Sequence, residues 1–130
     1  MHFTMHEVGI IESALDVIRR EARAHHATRV TRVVMRIGAI SGVDAEALRF
    51  GFEACTPGSI AEGAALEIET VPARAHCKAC AADFTIESGF IFQCPRCAAF
   101  SGDVRSGREL ELARLEFATA HEKASPHHVR

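Results

Sequence analysis

Two cysteine pairs constrain this chain more than any other feature. Cys77-Lys78-Ala79-Cys80 is followed, thirteen residues later, by Cys94-Pro95-Arg96-Cys97. Cysteines three apart can turn both sulfurs toward one point. Two such pairs supply the four thiolates that a tetrahedral Zn²⁺ takes. With four protein ligands the ion has no open position, so it holds a fold together and activates no water. A single C-x-x-C pair also serves as a redox dithiol, but the matched second pair favours zinc. The segment is expected to form a zinc ribbon, with Phe84, Ile86, Phe90 and Phe92 packing its small core.

Composition limits what surrounds the ribbon. At 130 residues the chain is one domain, or a domain carrying a small module. Apolar residues make up 48%, enough for a core, and without Trp or Tyr that core is aliphatic with Phe. A net charge of −2 gives no general pull toward nucleic acid or anionic membranes. The ribbon itself sets Lys78, Arg96 and Arg105 against Asp83, Glu87 and Asp103, with no strong basic patch. The fifth cysteine, Cys55, reads as a small buried helix residue. Paired C-x-x-C with no export signal in the first residues indicates metal binding in a reducing cytoplasm rather than a disulfide framework. No apolar run approaches the ~20 residues that span a bilayer.

Along the chain the apolar period changes three times before the ribbon. From Val8 to Ala24, Val8, Ile11, Leu15, Ile18 and Ala22 recur at steps of three and four, which is one helical stripe. Thr4 and Glu7 have the spacing of a capping box. From Thr28 to Ile37 the period is two, with Thr31, Val33, Met35 and Ile37 facing a core and Arg32, Val34 and Arg36 facing away. A second helix is expected from Asp44, at its cap, to Cys55, with Leu48 and Phe52 inward. A second strand follows at Leu66–Thr70, whose Glu67 and Glu69 could meet Arg32 and Arg36 across the sheet. After the ribbon, a last strand runs from Glu109 to Phe117. Its apolar residues change face between Leu112 and Leu115, as a bulge or a change of burial near Ala113 would produce.

The expected fold class is α+β: a small mixed three-stranded sheet covered by two helices, with an inserted four-cysteine zinc-ribbon lobe. The strand-helix-strand unit from Thr28 to Thr70 should be a right-handed crossover joining parallel strands. Residues 1–74 and 105–120 would form the α/β domain, 75–104 the ribbon on two connections, and 121–130 a flexible tail. Removing zinc should then unfold the ribbon and spare the rest. Exposed strand edges and a hinged ribbon would also permit exchange between protomers, giving a homodimer.

Two weaker features stand beside the cysteines. His76 precedes Cys77 and could bond a sulfur or exchange with a cysteine ligand; its plainer reading is a solvated histidine. Met5-His6-Glu7 could bind a metal; its plainer reading is a helix start with an exposed histidine.

Three motifs now occur together. Met5-His6-Glu7-Val8-Gly9 opens the first helix. Arg36-Ile37-Gly38-Ala39-Ile40-Ser41-Gly42-Val43-Asp44 closes the first strand, and Ser106-Gly107-Arg108-Glu109-Leu110 follows the ribbon. The combination, from roughly Met5 to Phe117, resembles the HypA/HybF family of hydrogenase nickel incorporation proteins. The resemblance implies a small nickel metallochaperone rather than an enzyme. It implies structural Zn²⁺ on Cys77, Cys80, Cys94 and Cys97, and Ni²⁺ as transferable cargo near the N-terminus. It also implies as partners a HypB-type GTPase and the large subunit of nickel-iron hydrogenase, with urease served by some members. Carried over by position, His6 is the nickel ligand, Glu7 a ligand or a group beside it, and Asp44 an acidic group approaching the same site. Imidazole suits Ni²⁺, and amine or deprotonated amide nitrogens favour square-planar coordination. A site made from a chain terminus is open, so a partner can take the ion from it.

The chain departs from that family at its start. Family members usually begin at the methionine of Met-His-Glu, which places an α-amine at the metal; here Met1-His2-Phe3-Thr4 comes first. Three routes to nickel follow. The working chain could start at Met5. His6 could bind with side chains and amides. Or Met1-His2 could supply amine, amide and imidazole itself. His6 is the preferred ligand and His2 its competitor. Outside the family, the competing readings are a zinc-ribbon nucleic-acid binder and an adaptor without transferable nickel.

Overall fold

In a computed structural model of the chain, residues 5–87, 91–120 and 122–128 are described, Met5 and the last of these segments through their backbone only. Nine elements follow in order: α1 (Met5–Ala24), β1 (Ala27–Gly38), α2 (Ala45–Cys55), β2 (Ala65–Val71), β3 (Arg74–Cys77), β4 (Ala82–Thr85), β5 (Val104–Ser106), β6 (Leu110–Thr119) and β7 (Glu122–His128). They divide into two compact units. One comprises Met1–Met35, Val43–Glu69 and Glu111–Arg130; the other comprises Arg36–Gly42 and Thr70–Leu110.

The first unit is built on the periodicity of α1. Ile11, Leu15, Ile18 and Ala22 are all buried, as the stripe required, while Val8 is only half-buried. The place at the top of the stripe is taken by Glu7, a carboxylate only 4% exposed. The capping box expected with Thr4 falls outside the described residues. α2 begins where its sequence says: the Asp44 carboxylate accepts from the amides of Glu46 at 2.9 Å and Ala47 at 3.3 Å, satisfying donors that the first helical turn leaves orphaned. The two helices face one another at Gly51, where a Cβ would sit in ordinary contact, 3.7 Å from Ile11.

Four strands, in the order β2-β1-β6-β7, form the larger sheet, one more than expected. Hydrogen bonds give the directions of β1 and its neighbours. The Val30 amide donates to Ile60 and that of Ala39 to Val71, so β1 and the chain through β2 ascend together. Thr28 Oγ1 donates to Ala118 and the Gly38 amide to Glu109, so β1 and β6 run oppositely. The sheet is therefore mixed, as expected. Residues read as a flexible tail supply the fourth strand: β7 pairs antiparallel with β6 from Arg114 opposite His128 to Thr119 opposite Glu122. Alternation was too faint there to mark a strand, since Ser125, Pro126 and paired histidines carry no apolar period.

Position in the sheet explains two further differences. β1 is interior, so Val30 and Val34 are buried as well as Val33, Met35 and Ile37; the one-sided strand expected from the sequence is two-sided. On β6, Leu115 and Phe117 are buried while Leu110 is 43% exposed, so burial changes along the strand. The register irregularity seen in β6 lies between Phe117 and Thr119, against β7, rather than near Ala113. Across the outer surface Arg32 pairs with Glu67, as anticipated, and also with Glu116 at 3.2 Å. Hydrogen bonding to Glu67 raises the Arg32 pKa above its usual value.

The second unit carries a three-stranded sheet, β4-β3-β5, antiparallel throughout. Its core is Ala73, Ala75, Cys77, Phe84, Ile86 and Cys94, with Ile40, Phe92 and Val104 packed against it. The unit is larger than the ribbon read from the cysteines. Ile40 joins that core, and its amide donates to Gly107 while that of Ala39 donates to Val71, so residues 36–42 belong here. The chain thus passes between the units at four places rather than two. Gly107, at φ +114°, is indispensable to the arrangement: a Cβ would lie 2.6 Å from the Ala73 Cα.

Candidate metal centre

The two cysteine pairs fold in the same way. β3 ends on Cys77, and the turn through Cys80 is followed by Ala81 at φ 53°. After Cys97 comes Ala98, at φ 65°. A left-handed residue just after the second cysteine turns the chain back, so that both sulfurs of a pair face inward. In the second pair the loop is closed by two main-chain bonds, Cys94 amide to Ala99 and Ala98 amide to Cys94, each 2.8 Å. Alanine accepts this conformation less readily than glycine, at a cost of roughly 1–2 kcal/mol per residue. The strain is thus held at both pairs, next to the metal ligands.

Four Sγ atoms result, all within 4.8 Å of one another. Cys77 and Cys97 approach to 3.5 Å, Cys80 and Cys94 to 3.9 Å. A tetrahedron with Zn–S bonds of about 2.3 Å has edges of about 3.8 Å. The donor set and its spacing therefore fit Zn²⁺. The first cysteine of each pair, Cys77 and Cys94, is 2% exposed and belongs to the core; Cys80 is half-buried and Cys97 exposed.

Electrostatics support the same assignment. Backbone amides of Cys97 and then Arg96 point at the Cys94 sulfur and lower its pKa to about 7. Hydrogen bonding to Cys97, reinforced by burial, pushes Cys80 up to about 12. Four thiols this close cannot all lose protons without a cation to balance them, and a divalent metal supplies that charge.

His76 is not aimed at a sulfur. It stands directly opposite Asp83 in the β3–β4 register, and its Nδ1 lies 2.8 Å from Asp83 Oδ1. The pairing holds the Asp83 carboxyl below its ordinary 3.8. Reading the sequence alone missed Asp83 as the partner; a hairpin register placing residues 76 and 83 opposite one another was the signal available.

At the other candidate site the structure joins two of the named residues. Glu7 Oε2 accepts from the Asp44 amide at 3.4 Å, so α1 is tied to the N-terminal cap of α2. Asp44 spends one carboxylate oxygen on the cap. His6, the next residue on α1, is exposed. His2 lies outside the described residues. Cys55, expected to be buried, is half-buried at the last position of α2.

The fold and the cysteine cluster define a small α+β protein with a four-thiol metal-binding site. Residues 5–117 match the family model described as hydrogenase/urease nickel incorporation, metallochaperone, HypA. The chain belongs to this HypA family. It is 45% identical over 112 residues to the hydrogenase maturation factor HypA of a Picosynechococcus species, covering 86% of this chain and 98% of that protein. With HypA of Albidiferax ferrireducens it shares 42% over 113 residues, at the same coverages. Among solved structures it resembles the nickel metallochaperone HypA from Helicobacter pylori, with a TM-score of 0.59 and 25% identity over 87% of this chain and 97% of that one. A second HypA solution structure aligns with a TM-score of 0.63 and 26% identity, covering 88% and 97%. Among the described residues no helix is long and apolar enough to cross a membrane.

Proposed function

We propose that this chain takes up Ni²⁺ at its N-terminal end through His6 and delivers it for maturation of a nickel-iron hydrogenase. Zn²⁺ on Cys77, Cys80, Cys94 and Cys97 is the resident metal. When bound, it neutralises the four thiolates and cross-links the two cysteine turns. Nickel is the cargo. The observation that carries this reading is the contrast within two adjacent residues of α1: His6 exposed, Glu7 buried against the Asp44 amide. An exposed imidazole on a fixed helix start can accept a metal ion and surrender it. Glu7 acts as the group that fixes that start, and its charge favours a cation nearby; Asp44 completes the acidic surroundings. A HypB-type GTPase and the hydrogenase large subunit are the partners that this role calls for, in the cytoplasm where the thiols stay reduced.

Calorimetry with Ni²⁺ on the zinc-loaded protein tests the proposal. Tight stoichiometric binding should be lost in His6→Ala and kept in His2→Ala. If binding is lost in His2→Ala instead, the ligand is His2. If neither substitution weakens it, the site lies elsewhere.

A further inference from the structure

The second cysteine turn presents an apolar face that the metal site does not use. Gln93 pairs with Phe100 in an antiparallel bridge, and the Ser101 amide donates to Phe92 at 2.9 Å. In this pairing Phe92 and Ser101 face inward: Phe92 packs on the core, and Ser101 Oγ donates to the His76 carbonyl at 2.6 Å. Ile91, Gln93 and Phe100 therefore share the opposite face. Phe100 is 78% exposed and Ile91 58% exposed, the two most exposed large apolar side chains among the described residues. Leaving a phenylalanine in water beside a cysteine turn forgoes the favourable burial of its ring. The turn is held by main-chain bonds on both sides, so the ring is presented on a rigid support.

A hollow beside Phe100 is lined by His76, Lys78, Ser101, Asp103 and Arg105. Its one acidic lining residue, Asp103, pairs with Arg105 at 2.9 Å, and its histidine, His76, pairs with Asp83 at 2.8 Å. Lys78, exposed on the first cysteine turn, makes no ion pair among the described residues. Among the described residues the hollow thus offers one unpaired cation, Lys78, beside an aromatic anchor.

We propose that this face of the second unit docks an acidic polypeptide segment of a partner protein, with an apolar side chain of that segment against Phe100 and Ile91 and a carboxylate at Lys78. The inference does not depend on where nickel binds. Aromatic anchors carry most of the energy of such contacts, and rim charges set steering and salt dependence.

A phage-displayed random peptide library selected on the zinc-loaded full chain, with Phe100→Ser protein as the counter-selection, tests this. The expected result is enrichment of acidic peptides with an aromatic or aliphatic anchor. A synthetic copy of an enriched peptide should then bind at least tenfold more weakly to Phe100→Ser. It should bind severalfold more weakly to Lys78→Glu, by a factor that shrinks as salt rises. Phe100 is exposed, so its substitution should leave the thermal transition unchanged. Three outcomes overturn the proposal: no enrichment, enrichment of neutral or basic peptides, or binding that survives Phe100→Ser. A single-stranded DNA oligomer bound more tightly than the peptide, and lost in Phe100→Ser, would make the face a nucleic-acid surface. A dimer in sedimentation that Phe100→Ser dissociates would make it a contact between copies.

Discussion

The four-cysteine cluster and the proposed nickel site at the His6–Glu7–Asp44 corner would treat a metal in opposite ways. The cluster draws its ligands from two turns of the same shape, and two of the four sulfurs are part of a hydrophobic core. An ion there is enclosed on all sides by protein donors, so releasing it means dismantling the core. At the other corner the anchoring carboxylate of Glu7 is buried and the proposed ligand, His6, is exposed. An ion held there, as proposed, would leave without disturbing the fold. Retention and the proposed hand-over thus differ in where burial falls: on two of the four ligands in one region, on the residue that positions the proposed ligand in the other.

Six substitutions break or sharpen this contrast. The largest effect is expected from Cys94→Ser, which removes a buried ligand. Structural zinc contributes on the order of 10 kcal/mol to the folding of small domains, so amide protection across Thr70–Leu110 should collapse to the unfolded level. Protection in α1 and α2 should persist. Equal loss in both units, by hydrogen exchange, would show that they fold as one.

Gly107→Ala should come next. It forces a side chain into Ala73 at a left-handed φ and should cost about 2–4 kcal/mol in denaturant unfolding. It should do so with zinc still bound, which separates backbone fit from metal loss.

Glu7→Ala should lower stability by about 1–3 kcal/mol, because it empties a buried position and takes the acceptor from the Asp44 amide. His6→Ala should stay within about 0.5 kcal/mol of the parent, as exposed positions do. Both should weaken nickel binding. If His6→Ala destabilises as much as Glu7→Ala, the division into ligand and anchor is wrong.

The smallest effect should be a gain. Ala98→Gly and Ala81→Gly relieve left-handed strain and should each raise the unfolding midpoint, by about 1 kcal/mol or less. A loss at either position would mean that the alanine methyl packs against the cysteine turn more strongly than its backbone is strained.

Local pattern made much of this molecule legible. The stripe of α1, the Asp44 cap, the bounds of β1 and β2 within a residue or two, and the metal cluster each depend on residues close in sequence. What escaped the sequence depended on neighbours it does not display. Val34 looked like a surface residue because alternation cannot tell an edge strand from an interior one. β7 was hidden because a strand that pairs through its backbone needs no apolar period. The extent of the second unit was underestimated because Ile40 lies far along the chain from the core it joins.

By itself, then, the sequence determined one donor set, four thiols at the spacing of two turns, and the proposed one, a histidine followed by a glutamate at a helix start. Those choices are chemical and local. Tertiary structure alone decided which donors are enclosed and which stay open. Burial is a property of what other segments bring to a residue, and only the folded chain places Asp44 over Glu7, Asp83 opposite His76, and nothing over Phe100 among the described residues.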